Sequence, residues 1–189
     1  MKKGLIVLIA IVGIVVVIGM ALAGSYNGLV EKQNEVEGKQ AEIATQLQRR
    51  ADLIPNFVAT VKGYADYEQS TLTAVTEARS RVAAAGDDAA AQTAASEQLD
   101  RAISVWVNAV TEAYPDLKAN TQFVALQDEL AGTENRVAKA RDDYNAAAKD
   151  YNTAIRKFPQ NLIAGMFGFE KADYFEAAAG TESAPTVSF

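Results

Sequence analysis

The 189-residue chain contains no cysteine and no histidine. Without cysteine there is no disulfide, no thiolate nucleophile and no thiolate metal site. A diacylglyceryl anchor is excluded too, although Leu22-Ala23-Gly24 otherwise has the form of its attachment signal. Without histidine the commonest general base, the commonest transition-metal ligand and the usual pH switch are missing. A di-iron helical bundle needs Glu-x-x-His and is excluded with them. No glycine-rich phosphate loop occurs, and neighbouring carboxylates such as Asp142-Asp143 point to different helix faces. No catalytic residue, metal or cofactor is therefore expected. A residual enzymatic reading would have to rest on groups such as Tyr64, Glu68 and Glu134.

Charge is absent from one stretch in particular. Gly4 to Gly24 is a Val/Ile/Leu-rich run of 21 residues without an ionisable side chain, preceded by Lys2 and Lys3. A bilayer core needs about 20 apolar residues in a helix, and the run matches. Lipid leaves no other partner for the backbone, so the segment must be helical. Ala21-Leu22-Ala23 fits a signal-peptide cleavage site, but signal cores run about 7–15 residues. The longer run here favours retention, and residues 1–25 are expected to anchor the chain. Lys2 and Lys3 favour a cytoplasmic N-terminus and a body outside the cytoplasm. Gly13 and Gly19 are six apart, which gives no close small-xxx-small pair for a tight helix dimer.

The remaining 165 residues are long enough to bury a core. Setting aside Lys2 and Lys3 from 18 basic residues leaves 16 against 24 acidic, a net charge of -8. That sign repels nucleic acid and anionic headgroups, and no basic stripe opposes it. Cationic or neutral partners, or another copy of the chain, suit it better.

The body reads as all-α. Leu29, Val36, Ile43, Leu47 and Ile54 form one stripe over a first helix from about Tyr26 to Leu53, continuous with the anchor unless Gly24-Ser25 or Gly28 flexes. Pro55 is expected to break or kink it, with Asn56 capping the next helix. That second helix is expected over Phe57–Ala85 (inward Val58, Val61, Ala65, Leu72, Val75, Val82) and a third over Glu97–Ala113 (Leu99, Ile103, Trp106, Val107, Val110), with Ala89–Ser96 either loop or a weak start to it. Tyr114-Pro115-Asp116 marks a turn. The fourth helix, Thr121–Lys157, carries Phe123, Leu126, Leu130, Val137, Ala140, Tyr144, Ala147 and Tyr151, with Phe158 continuing the rhythm until Pro159 stops it. A shorter helix over Gln160–Ala178 precedes a tail from 180 to 189. Long helices with short connections fold back antiparallel, so residues 26–179 are expected to form an elongated antiparallel four-helix bundle with a short extra C-terminal helix.

Several constellations compete with plainer explanations. Arg49-Arg50-Ala51-Asp52 could hold a carboxylate or phosphate, but cations at the end of a helix also favour its macrodipole, which is the stronger reading before Pro55. Tyr144-Asn145 and Tyr151-Asn152 lie one heptad apart and suit packing, with Asn setting register between helices. Tyr64, Tyr67 and Glu68 beside Gly63 suggest a solvated edge, and Glu134-Asn135 a buried polar layer. Ile163 to Phe169 is unusually apolar: it covers one end of the bundle or offers a sticky surface. Val187-Ser188-Phe189 would suit a domain that captures C-termini. Partner-contacting positions are expected at Arg49, Arg50, Asp52 and Asn56, at Tyr114, Asp116, Lys118 and Asn120, and at Phe167 and Phe169.

The string YNGLVEKQNEVEGKQAEIATQLQRRADLIPNFVATVKGYADYE resembles the opening block of the LemA family of bacterial membrane proteins. AYPDLKANTQFVALQDELAGTENRVAKARDDYNAAAKDYN resembles that family's second block, and FPQNLIAGMFGF and YFEA also fit. The resemblance implies a short membrane helix followed by an antiparallel helical bundle in the bacterial inner membrane, without established catalysis and without site residues to transfer. It also implies a scaffold or adaptor role beside envelope partners such as a membrane protease. The expectation is a membrane-anchored, non-enzymatic, self-associating interaction protein, holding lipid through residues 4–24. The alternative is a lipid-binding or membrane-remodelling protein.

Overall fold

A computed structural model describes residues 2–62, 69–86 and 88–175. Tyr64, Tyr67, Glu68 and the tail from 180 to 189 lie outside the described residues. The described chain is all-helical: α1 (Lys2–Lys62), α2 (Gln69–Ala84), α3 (Ala89–Ala113), a 3₁₀ turn (Pro115–Ala119), α4 (Thr121–Ala154) and α5 (Gln160–Phe167). No strand occurs among the described residues.

The main departure from expectation is at Pro55, which lies inside α1 and does not end it. Proline costs a helix interior about 3 kcal/mol. Burial offsets that cost: Leu47, Ala51, Ile54, Phe57 and Val61 recur at helical spacing on both sides of it and are all buried, while Pro55 itself faces outward. Replacing Pro55 with alanine is expected to stabilise the protein by about 2 kcal/mol, the interior penalty less the entropy proline removes from the unfolded chain. Urea unfolding of the detergent-solubilised protein measures it; a loss of stability would mean that the helix is interrupted there. Asn56 is consequently no cap, and Phe57 to Lys62 belongs to α1.

Other boundaries shift for local reasons. Asp88 Oδ1 accepts from the N–H groups of Ala90 and Ala91 at 2.8 and 3.1 Å, which makes Ala89–Ser96 the start of α3 and not a loop. Asn120 Oδ1 accepts from the N–H of Phe123 at 2.9 Å and starts α4. Helix α4 ends at Ala154, and Phe158 is 81% exposed, so it leaves the α4 stripe it was expected to continue. Helix α5 stops at Phe167 because Gly168 takes a left-handed conformation with φ 75°.

The described residues divide into two compact units. The first comprises residues up to Gly38 together with Asn145–Asp173; the second comprises Lys39–Tyr144 with Tyr174 and Phe175. In the first, Leu29 is buried against Ala154, Ile163 and Ala164. The same unit holds one segment of α1 long and apolar enough to cross a membrane, and its Leu, Ile and Val side chains from Leu5 to Ile18 are all more than half exposed. In the second, Phe57 of α1, Trp106 of α3 and Phe123 of α4 are almost fully buried among Ile54, Val61, Val75, Leu99 and Val110.

Candidate functional site

The densest polar arrangement lies in the second unit, around the arginine pair. Arg50 is 3% exposed and reaches two other helices. Its Nη1 lies 2.6 Å from Asp100 Oδ1 of α3, a close ion pair off the hydrogen-bond angle, and its Nη2 donates to Glu134 Oε2 of α4 at 3.5 Å. Arg49, much more exposed, approaches Glu129 Oε1 at 3.5 Å, and Arg136 Nη2 donates to the same oxygen at 2.7 Å. Asp52 accepts from Gln48 Nε2 at 2.7 Å and sits 3.9 Å from Arg79 of α2. Since α1 runs on past Pro55, the arginines do not serve a helix end. They neutralise carboxylates on α3 and α4.

Burial raises the Asp100 carboxyl above its ordinary range; Arg50 opposes that rise and Glu134 adds to it. Arg141 of α4 is shifted down by desolvation against the pull of Asp100, and its guanidinium lies 5.6 Å from the Phe175 ring centre. Phe175 in turn packs edge-on against Tyr144 at 5.0 Å. The layer ties α1 to α3 and α4 through charge. Among the described residues, no group of three His, Cys, Asp or Glu side chains is placed to hold a metal.

The flagged residues fall at three separate places. Arg49, Asp52 and Asn56 line a shallow open depression along α1 with Ala44, Thr45, Gln48 and Leu53, while Arg50 lies behind it in the core. At the α3–α4 connection Tyr114 ends α3 through its N–H to Val110 O, Leu117 plugs the core and Asn120 caps α4, leaving Asp116 and Lys118 exposed. In the first unit Phe167 and Phe169 pack on Tyr26 with ring centres 4.9 and 5.6 Å away.

Sequence reasoning overlooked Asp100, Glu129 and Arg141. The available signal was their position: Asp100 follows the stripe residue Leu99, and Arg141 follows Ala140. Glu134 does join a polar layer, although its side chain is 62% exposed and Asn135 is exposed outright. Asn152 has a different task from setting register. Its Nδ2 donates to Ala172 O at 2.8 Å and its Oδ1 accepts from Ala172 N at 2.9 Å, which clamps the segment after α5. Asn152→Ala should cost about 2 kcal/mol, because both backbone groups lose their partner in a largely buried setting. Faster proteolysis near Ala172 would register it, and unchanged cleavage would remove Asn152 from that role.

The profile of the LemA family matches residues 39–189. Magnetosome protein MamQ 2 of Paramagnetospirillum magneticum is 27% identical over 176 residues, covering 80% of this chain and 64% of the relative. Protein LemA of Metamycoplasma hominis is 26% identical over 155 residues, covering 82% of this chain and 70% of the relative. Magnetosome protein MamQ of Magnetospirillum gryphiswaldense is 25% identical over 181 residues, covering 82% and 66%. The chain thus spans about two thirds of the length of these relatives.

Proposed function

The chain belongs to the LemA family, and from that membership and its apolar first helix we propose a membrane-anchored, non-enzymatic scaffold of the bacterial cell envelope that associates with itself. The body is read as four antiparallel helices, with the N-terminus cytoplasmic, the body extracytoplasmic and the inner membrane as its site. One observation carries the membrane part. The run from Gly4 passes without interruption into a helical stretch whose Leu29 is completely buried against α5. A helix that leaves the bilayer and immediately enters a packed body fixes that body at the membrane surface. The names of the relatives carry no enzymatic term, which agrees with a binding or structural role.

Self-association accounts for exposed apolar side chains such as Val105 (61%) and for the open depression around Arg49, Asp52 and Asn56. The expected result is that full-length protein in mild detergent elutes as a defined assembly many times the 20.2 kDa chain mass, read by light scattering. A monomer would overturn the scaffold reading in favour of an envelope protein partner, such as a membrane protease, to be sought by crosslinking in the native membrane.

A further inference from the structure

Phe158 to Phe169 is a stretch of twelve residues without an ionisable side chain, bracketed by Arg156-Lys157 and Glu170-Lys171. Only part of its apolar surface is used inside the first unit. Ile163 and Ala164 are buried against Leu29, whereas Phe158, Leu162, Met166 and Phe167 are 81, 56, 79 and 61% exposed. Leu162 and Met166 are four apart in α5 and share a face. A short helix is thus apolar on the face that packs and again on the face that does not.

Its position relative to the span says what covers the second face. Phe167 and Phe169 pack on Tyr26, two residues after Gly24, and Ile163 packs near Leu29, five residues after it. At a rise of about 1.5 Å per residue these contacts lie about 3 and 7.5 Å beyond the apolar run. The headgroup layer on each side of a bilayer is about 5–7 Å deep. The aromatic contact at Tyr26 therefore falls within that layer, where a tyrosine is well suited, and the Leu29 contact at its outer edge; Arg156 and Lys157, both exposed, flank the apolar stretch and suit anionic headgroups.

We propose that α5 is a second membrane contact, in which Phe158, Leu162, Met166 and Phe167 enter the lipid interface beside the span. The inference rests on the membrane-anchored reading above and names the lipid surface as its partner. It makes the first unit a two-point attachment: α1 crosses the bilayer, and α5 lies in its surface and limits how the helix can turn about its own axis.

The absence of cysteine makes the test clean. Leu162→Cys, Met166→Cys, Val12→Cys in the span and Asn34→Cys, an exposed position of α1 ten residues beyond the apolar run, are each labelled with a small fluorophore in the full chain. The proteins are placed in phosphatidylethanolamine–phosphatidylglycerol vesicles whose acyl chains are brominated near the headgroup or near the chain end. The expected result is at least threefold stronger quenching at positions 162 and 166 than at 34, greatest with shallow bromines, while position 12 is quenched best by deep ones. Quenching at 12 without quenching at 162 and 166 overturns the interfacial helix and leaves the anchor intact. Failure at position 12 as well overturns the membrane reading itself. Labels at 162 and 166 shielded from both lipid bromine and aqueous iodide would mean that another protein copy covers the face, and would overturn the proposal also.

Discussion

Arg50→Ala is expected to destabilise the protein by about 3 kcal/mol at neutral pH, because it strands the Asp100 carboxylate without its closest cation. The lower end of the usual range for a broken buried pair applies, since the Asp100 and Glu134 side chains keep 34 and 62% of their surface in water. A surface pair gives the comparison. Lys139 Nζ donates to Asp143 at 2.9 Å, which lifts the lysine and lowers the carboxyl, yet Lys139 is open to solvent and Lys139→Ala should leave stability unchanged within error.

The loss at Arg50 should also depend on pH in a defined direction. Burial raises the folded Asp100 carboxyl above its ordinary value of 3.8, so between 3.8 and the folded value the folded state binds more protons than the unfolded one. Stability from this group therefore falls as pH rises through that window and is regained on acidification. Arg50 is the largest influence opposing the rise, so removing it lifts the carboxyl further. The deficit of Arg50→Ala against the parent should consequently be smaller at pH 5 than at pH 7.5. Urea unfolding at both values checks it, and a deficit that grows toward acid would place the lost interaction elsewhere. Replacing the pair together, as Arg50→Met with Asp100→Leu, should recover more than half of the loss, since an apolar pair of similar size carries no desolvation cost.

The apolar pattern is the legible part of this fold. Leu29, Val36, Ile43, Leu47 and Ile54 are all buried as their spacing requires, and so are Leu99, Ile103, Trp106, Val110, Phe123 and Tyr151. Periodicity reports which face packs, and packing decides most of a helix's stability. Local punctuation is less reliable for the same reason. Pro55 reads as a break, but five buried residues flanking it outweigh one missing hydrogen bond. Phe158 reads as a core residue only by extending a rhythm beyond Ala154, where the helix has already ended. The polar residues are hardest. Arg49 and Arg50 are visible as a pair, while their counter-charges Asp100, Glu129 and Glu134 are 50 to 84 positions away, and no local spacing announces an ion pair between helices.

Phe57→Ala should have the largest effect of any single change, about 4 kcal/mol. The side chain is completely buried, and its ring meets Trp106 at 5.1 Å and Phe123 at 4.9 Å, so one residue of α1 joins α3 and α4. Truncation removes the transfer free energy of a benzyl group, opens a cavity between two large rings that cannot collapse fully, and forfeits both aromatic contacts, each worth about 0.5–1.5 kcal/mol. Against the roughly 5–15 kcal/mol that holds a domain together, that loss leaves a protein that melts many degrees lower. Phe57→Leu should lose much less, because leucine refills most of the volume and sacrifices only the ring contacts. The pair of variants also tests the course of α1. A phenylalanine just after a helix break would stand in a loosely held first turn and tolerate alanine at about 1 kcal/mol. A loss of that size would mean that Pro55 does divide the helix; a loss near 4 kcal/mol means that the chain runs through it, with Phe57 held in register by Ile54 and Val61 on the same buried face.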